Sequence, residues 1–507
     1  MQNIPDGGIK KHYFELPLPG RKDQRPDTER IADGLGKELY FPLSVLRSVP
    51  FILRSGNFKA TVTIGDKNRV IDIEPGDSSE HSYGVALDIG TTTIATYLLN
   101  LNTSKELGVK SILNPQRKFG ADVISRIKHV HDHGEQGLKE LSDEVKRAIN
   151  LTIEELCHEN EIKSANVYKV VVVGNPTMIH LLLGIDPSYI DHSPYIPVLR
   201  DITSFQGREL RIVMNPEGEV YILSNVSGYL GADIIAGVLY TELYKSDELK
   251  LLVDIGTNGE IVLGNKTKIL ACSTAAGPAF EGGRIEKGMS ALRGAISHVY
   301  IDDEVRIEVI GDGKPRGICG SGLVDAVGEL LKLGFISENG LYQSLPISGK
   351  HRLNPLETKP LTGLVKRDGQ YRFLLVESDT PIYLTQRDVR ELQLAKGAIR
   401  AGIEMLMKKI GVTKDEIKEL FLAGAFGNFL KIHNAIRLGL LPEIPQERIT
   451  LSGNSAGEGA KLCLIDKDKL NEIREITTRI EYLELSYRSD FNNEFVRRIK
   501  FPKPIRC

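Results

Sequence analysis

Apolar positions along this chain alternate between two periods. Between Phe41 and about Ser79, short β-like runs such as "KATVTIG" and "RVIDIEPG" alternate with turn residues and predict a small strand-rich domain. "GVALDIGTTTIATYLLN", residues 84–100, predicts two apolar strands joined by a tight turn at Gly90, with Asp88 at the end of the first. The period then becomes helical: Leu138, Leu141, Val145, Ile149, Ile153 and Leu156 recur at three- and four-residue steps, the stripe of an amphipathic helix. "YKVVVVGNPTMIHLLLG" reads as a buried strand leading through a loop into an apolar helix, the crossover of an α/β layer.

The strand-turn-strand pattern returns in "LLVDIGTNGEIVL", residues 251–263, which delivers Asp254 into a second glycine-containing turn. A repeat of D-I-G-T inside the same pattern of apolar runs predicts two related halves. Val389, Leu392, Ala395, Ile399, Ile403, Leu406 and Ile410 mark one face of a further helix, and "ELFLAGAFGNFL", residues 419–430, a strand that ends in small residues. The first 35 residues, rich in Pro, Gly and charge, read as a linker with one short helix. The expected organisation is a linker (1–35), a small middle domain (36–82) and two α/β subdomains (83–245 and 246–507).

The polar residues between the apolar strands suggest phosphate chemistry. Backbone N–H groups and the hydroxyls of Thr91, Thr92 and Thr93 suit phosphoryl oxygens, and Asp88 suits a hydrated magnesium ion, which prefers carboxylates and retained waters. In the second turn, Gly256, Asn258 and Gly259 allow close backbone approach, Thr257 offers a hydroxyl, and Asp254 is placed to hold a metal-bound water. Two such hairpins facing each other would hold a triphosphate from both sides. Gly424, Ala425 and Gly427 leave room for a flat ring against backbone. A plain polar turn, and packing glycines at a strand end, are the alternatives.

Composition narrows the classes. The 507 residues exceed one ordinary core, so several domains are expected. With 65 basic against 67 acidic residues, the net charge of −2 favours neither nucleic acid nor a membrane surface. No uncharged apolar run nears the roughly 20 residues that span a bilayer, and the N-terminus lacks the order of a signal peptide, so a cytoplasmic protein is expected. Cys157, Cys272, Cys319, Cys463 and Cys507 lie far apart with no C-x-x-C pair, so reduced thiols are expected rather than a zinc or iron-sulfur site of this chain alone.

Lesser candidates carry two readings each. "KHVHDHG" gathers His129, His131, Asp132 and His133, either a metal site or a solvated loop between two helices. Arg387, Asp388, Arg390 and Lys396 read mostly as a solvated helix face, with Lys396 the one within reach of a nucleotide. Asn175, Ser224 and Asn225 fall at strand ends, as ligand groups or turn caps. Glu281, in the glycine-rich "AAGPAFEGG", either lines the nucleotide or pairs with Arg284. Cys319 in "GICGSG" has the most suggestive loop of the five cysteines, which a small buried residue at a helix start explains equally well.

The three motifs together, Asp88 to Thr93, Asp254 to Glu260 and Leu422 to Gly427, resemble the two phosphate loops and the adenosine motif of the actin, sugar-kinase and heat-shock-chaperone ATPase superfamily, in that order. "DIGTTT", "GNPTMIHLLLG", "SNVSGYLGADI", "DIGTNGE", "GPAFEGGRIEKGM", "GICGSGLVDAVGELL", "LTQRDVRELQLAKGAIRAGI" and "LAGAFG" resemble more narrowly the ATP-dependent reductive activators of corrinoid proteins, over most of residues 84–507. The resemblance implies two ribonuclease-H-like subdomains of the actin-like ATPase fold that close on ATP and open on ADP. It also implies ATP and Mg2+ held at Asp88 and Asp254, and a homodimer. The implied activity couples ATP binding and hydrolysis to reduction of a cob(II) cofactor to cob(I). The implied partner is a corrinoid iron-sulfur protein or the corrinoid protein of an O-demethylase. "KKHYFELPLPGRKDQRPDTERI" resembles the linker that follows a [2Fe-2S] ferredoxin domain in these activators. No C-x4-C-x2-C run occurs here, so the expectation is a [2Fe-2S] cluster not held by this chain and an external low-potential electron donor.

A small-molecule kinase would share the fold but calls for an acceptor site with a catalytic aspartate. An activator of a radical dehydratase calls for paired cysteines, and a nucleotide-gated binding protein without turnover needs only the phosphate loops.

Overall fold

The computed structural model describes residues 5–302, 304–343, 363–367, 369–424, 426 and 429–503. The chain divides into two compact units, one of Met1–Tyr240 with Ala456–Thr478 and one of Thr241–Ser455 with Arg479–Cys507. The second α/β segment anticipated from the sequence therefore lends two helices, Ser455–Ile465 (all but its first residue) and Asp468–Arg479 (all but its last), to the first unit.

In the first unit, β1 (Lys10–Glu15), β2 (Lys59–Ile64) and β3 (Val70–Pro75) form an antiparallel sheet in the order β1-β2-β3. β1 lies in the segment read as linker, yet it pairs with β2 over its whole length, and Phe14 joins Ile31, Leu53, Val62 and Ile73 in one small core. The expected short helix is Asp27–Leu35, ended by Gly36 at φ +62°.

The same unit holds a six-stranded sheet. Its strands are β4 (Tyr83–Ile89), β5 (Thr93–Asn100), β6 (Glu106–Leu113), β7 (Val167–Gly174), β8 (Thr203–Gln206) and β9 (Glu219–Ile222), in the order β6-β5-β4-β7-β9-β8. β4 runs antiparallel to β5 and parallel to β7. Every residue of β7 is buried, as the unbroken β-branched run "VVVV" requires of a central strand covered on both faces. The exception in chemistry is Lys169, whose ammonium donates to the carbonyls of Gly7, Cys463 and Leu464 at 2.8, 2.9 and 3.1 Å. Burial draws Lys169 down to about 8.

Leu141, Val145, Ile149, Ile153 and Leu156 lie on one helix, Val123–Glu159, in the core beside β4 and β7. This helix begins six residues before His129, the first of the histidine cluster, because Asp122 and Ser125 form a capping box. The "KHVHDHG" stretch is therefore helical rather than a loop between two helices. Gly134, at φ +58°, marks the kink.

The second unit is built around β10 (Lys250–Ile255), β11 (Gly259–Gly264) and β12 (Ile269–Thr274). A smaller sheet of β13 (Ala295–Ile301), β14 (Val305–Val309) and β15 (Gly317–Ile318) follows, then one of β16 (Leu364–Arg367), β17 (Gln370–Val376) and β18 (Ile382–Thr385). β19 (Glu419–Gly424), β20 (Ile449–Gly453) and β21 (Ile480–Tyr482) complete the main sheet in the order β20-β19-β10-β11-β12-β21. β10 is antiparallel to β11 and parallel to β19, as β4 is to β5 and β7. The two main sheets thus share a five-strand pattern, with β10 standing where β4 stands.

The predicted helix along Val389 to Ile410 is Gln386–Ile410, begun by a Thr385–Asp388 capping box and ended by Gly411 at φ +85°. Its charges are only partly solvated. Arg387 and Arg390 are exposed, but Asp388, Lys396 and Arg400 are buried. No helix among the described residues is long and apolar enough to cross a membrane.

Candidate functional site

The two aspartate hairpins occupy equivalent places in their sheets. Asp88 stands on β4 opposite Ala95 of β5 and Val173 of β7. Asp254 stands on β10 opposite Glu260 of β11 and Ala423 of β19. Each is partly exposed while the residues before and after it in its strand are buried, so the carboxylates emerge at the ends of central strands. Ligands of open α/β sheets bind outside such strand ends.

The first hairpin is closed by the Gly90 amide, which donates to the Thr93 carbonyl at 2.9 Å. That amide is spent on the turn and is no phosphate donor. A Cβ at Gly90 would lie 2.8 Å from the Thr93 oxygen, so the turn admits only glycine there without a shift. Three side chains hold the tip, two of them, Asn114 and Arg126, fully buried. Asn114 donates to the Gly90 carbonyl at 2.9 Å, Asn175 donates to Thr91 Oγ1 at 3.1 Å, and Arg126 donates to the Thr91 carbonyl at 2.5 Å. Arg126 is fully buried and also reaches the Gly120 carbonyl at 3.0 Å and Gln116 at 3.1 Å. Thr91 is therefore the anchor of the tip, Thr92 is half-buried, and Thr93 is exposed.

In the second hairpin the Gly256 amide donates to the Asn258 carbonyl at 2.9 Å. A Cβ at Gly256 would meet nothing closer than 3.8 Å, which leaves open space beside the backbone. Gly259 has a different reason: a Cβ there would lie 2.6 Å from Ile399 and 2.9 Å from Thr274, so it permits helix-to-sheet packing. Thr257 donates to Glu281 at 2.7 Å, which brings Glu281 to the hairpin tip. Gly424, at φ +94°, lies against the Asp254 carboxylate and the Ile255 carbonyl. Ala425 and Gly427 lie outside the described residues, as does Cys507.

Lys396 is not brought to these strand ends. Its ammonium donates to the carbonyls of Arg498 and Lys500 at 2.5 Å each, capping the Ser489–Ile499 helix. Burial, with Arg400 and Arg498 nearby, lowers it to about 7. Asn175 serves both of its readings, since it caps the Pro176–Leu183 helix through Met178 N at 3.0 Å and touches Thr91. Asn225 takes the capping reading, accepting from Ala232 N at 3.1 Å, while Ser224 is buried with no hydrogen bond to its hydroxyl. Cys319 is buried just before the Gly320–Lys332 helix, and its thiol donates to the Ile296 carbonyl. Burial pushes the Cys157 thiol up to about 11 and Cys463 to about 12.

Sequence reasoning passed over Asn114, Arg126 and Asp233. Asp233 opens the Ala232–Tyr240 helix, and burial raises it to about 6. A Cβ at Gly231 would lie within 2.7 Å of Asp233 Oδ1, the Gly174 carbonyl and Asn175 Cα, so this carboxyl sits close to the base of the first hairpin's brace. An arginine inside the stripe of an amphipathic helix, at position 126, was the available signal for one of the three.

Two sheets of the same five-strand pattern, each with an aspartate hairpin on its central strand, define an actin-like ATPase fold of two ribonuclease-H-like halves, preceded by a small strand-rich domain. Residues 248–505 match the family described as the C-terminal domain of RACo, the ASKHA domain; residues 83–246 match the RACo middle region, and residues 4–80 the RACo linker region. The chain belongs to the RACo family. It is 35% identical over 450 residues to the corrinoid activation enzyme RamQ of Eubacterium limosum, covering 86% of this chain and 74% of that one. It is 26% identical over 456 residues to a [Co(II) methylated amine-specific corrinoid protein] reductase of Methanosarcina barkeri, covering 83% and 77%. A solved reductive activator for a corrinoid, iron-sulfur protein superposes with a TM-score of 0.88 and 37% identity, over 99% of this chain and 80% of its own.

Proposed function

We propose that this protein is an ATP-dependent reductive activator that returns the cob(II) cofactor of a corrinoid protein to cob(I). The observation that carries the reading is the pair of equivalent aspartates on equivalent central strands, in a chain whose relatives are named for corrinoid activation and reduction.

Each hairpin, taken by itself, has the chemistry of a phosphate and magnesium loop. Asp88 and Asp254 offer hard carboxylate oxygens at strand ends, and the space beside Gly256 admits a phosphate against backbone. Bound magnesium would neutralise phosphate charge. Thr92, Thr93, Thr257 and Asn258 would supply polar contacts, Glu281 would orient Thr257, and Gly424 would keep Asp254 in place. The braces from Asn114, Arg126 and Asn175 would hold the first tip rigid, so that little ordering entropy is lost on binding.

In the reaction, one electron from an external low-potential donor reduces Co(II) to Co(I), while ATP and water become ADP and phosphate. Nucleotide can drive this only if the protein binds one ligation or redox state of the cobalt better than the other. The corrinoid partner belongs either to a carbon-fixing corrinoid iron-sulfur protein or to an O-demethylase, and the active form is expected to be a homodimer in the cytoplasm.

The test is anaerobic spectroscopy of a corrinoid protein poised as cob(II) with excess one-electron reductant. Cob(I) should accumulate only when this protein and ATP are both present. Equal cob(I) formation without ATP would contradict the proposal.

A further inference from the structure

The histidine cluster of the sequence does not stay together. On a helix, residues four apart share a face while the one midway points elsewhere. His129 and His133 accordingly stack at 4.3 Å, His129 meets Glu140 at 2.9 Å, and Asp132 is held by Lys128. His131 turns the other way. It meets Asp191 and His192, which belong to the segment that follows the Pro176–Leu183 helix.

His131, Asp191 and His192 each offer one ligand atom, all within 4.8 Å of one another. His131 Nε2 lies 3.9 Å from Asp191 Oδ2, and the two imidazole rings stand edge-on with centroids 5.8 Å apart. Asp191 Oδ1 pairs with His192 Nδ1, and Oδ2 is the oxygen turned towards His131. The Nδ1 of His192 lies 3.2 Å from the Ser188 carbonyl. Donation to a backbone carbonyl is what orients most ligating histidines and leaves Nε2 with its lone pair.

We propose that His131, Asp191 and His192 form a site for a zinc-class divalent ion, with water completing the shell. Two imidazoles and a carboxylate are a known ligand set for such ions when one position stays open. Bonds of about 2.0–2.2 Å put tetrahedral ligands roughly 3.4 Å apart, so His131 Nε2, 3.9 Å from Asp191 Oδ2, must approach by about 0.5 Å, and His192 must turn from its pairing with Asp191 to share the ion. Rotation of the two exposed histidines supplies that movement. The ion would tie the Val123–Glu159 helix to the 185–202 segment. That helix carries Arg126, and the Pro176–Leu183 helix is capped by Asn175; both of these residues hold Thr91. Metal binding would therefore stiffen the brace of the first hairpin.

The test is titration of the chelator-treated full chain with Co2+, whose visible absorption reports its coordination, and then displacement by Zn2+, without nucleotide. One equivalent should bind with a tetrahedral or five-coordinate spectrum, and Zn2+ should raise the thermal midpoint. His131→Ala, His192→Ala and Asp191→Asn should each weaken binding by about tenfold or more, and should lose the zinc-dependent rise in midpoint. His158→Ala, at the far end of the same helix, should change neither. Absence of a bound equivalent, or equal affinity in the three variants, would overturn the proposal. If a variant is poorly folded, His131→Cys gives the same test: retained affinity with a new thiolate-to-cobalt absorption supports the site, and its absence contradicts it.

Discussion

The backbone of Gly424 lies directly against the carboxylate of Asp254, in adjacent parallel strands, with φ +94° at the glycine. A side chain at 424 would meet both that carboxylate and the Ile255 carbonyl. Gly411 has a similar φ of +85°, but open space around its missing side chain. Gly411→Ala should thus cost about 1–2 kcal/mol of backbone strain alone. Gly424→Ala should cost more and also abolish nucleotide turnover. Denaturant melts of the two variants, with ATP hydrolysis, check this; equal costs and equal turnover would show that Asp254 does not need the space.

Arg126 serves the first hairpin from inside the core. Arg126→Met keeps bulk but leaves the Thr91 and Gly120 carbonyls without their donor, a loss of about 1–3 kcal/mol. If the brace matters to function, ATP affinity should fall by about tenfold beyond what the lost stability explains. Calorimetric titration with a non-hydrolysable ATP analogue, well below the melting midpoint, separates the two effects.

Thr257 and Glu281 make one hydrogen bond at the second hairpin tip. Glu281→Gln retains an acceptor oxygen, whereas Thr257→Val removes the donor. Turnover should therefore fall by about tenfold in the valine variant, the worth of roughly 1.4 kcal/mol, and less in the glutamine variant. Steady-state kinetics of both variants decide it, and the reverse ranking would point to a direct role for the Glu281 charge.

Lys396 makes stability depend on pH. Its ordinary value is 10.5 and burial with Arg400 and Arg498 lowers it to about 7, so between those limits the unfolded chain holds more protons than the folded one. Stability contributed by this group should rise from pH 7 towards pH 10, by at most about 1.4 kcal/mol per unit. Lys396→Met should flatten that slope while losing the contacts to Arg498 and Lys500. Chemical denaturation across the range measures it, and an unchanged slope would mean the ammonium stays charged.

Much of this fold could be read in advance because its signals are local. The β4–β5 and β10–β11 hairpins each lie within one stretch of sequence, and their apolar strands with an interrupting aspartate cannot be mistaken for helices. The helix face from Leu141 to Leu156 was legible for the same reason. What escaped depends on pairing at a distance. β1 finds its partner β2 more than forty residues later, and nothing in "KKHYFE" announces that. Lys396 shows the same limit: periodicity placed it correctly on the helix, but its carbonyl partners come from residues 498 and 500. Gly424 was read as room for a ring, and its closeness to the Asp254 carboxylate across the sheet was not legible in the sequence.

The central claim is that two equivalent aspartate hairpins couple ATP to corrinoid reduction. The most direct measurement is steady-state ATP hydrolysis, anaerobically, with and without a corrinoid protein poised as cob(II), for the unaltered chain, Asp88→Asn and Asp254→Asn. The account predicts hydrolysis that rises with the cob(II) protein and is lost in both variants. Hydrolysis indifferent to any cob(II) protein, or unchanged in either variant, would contradict it.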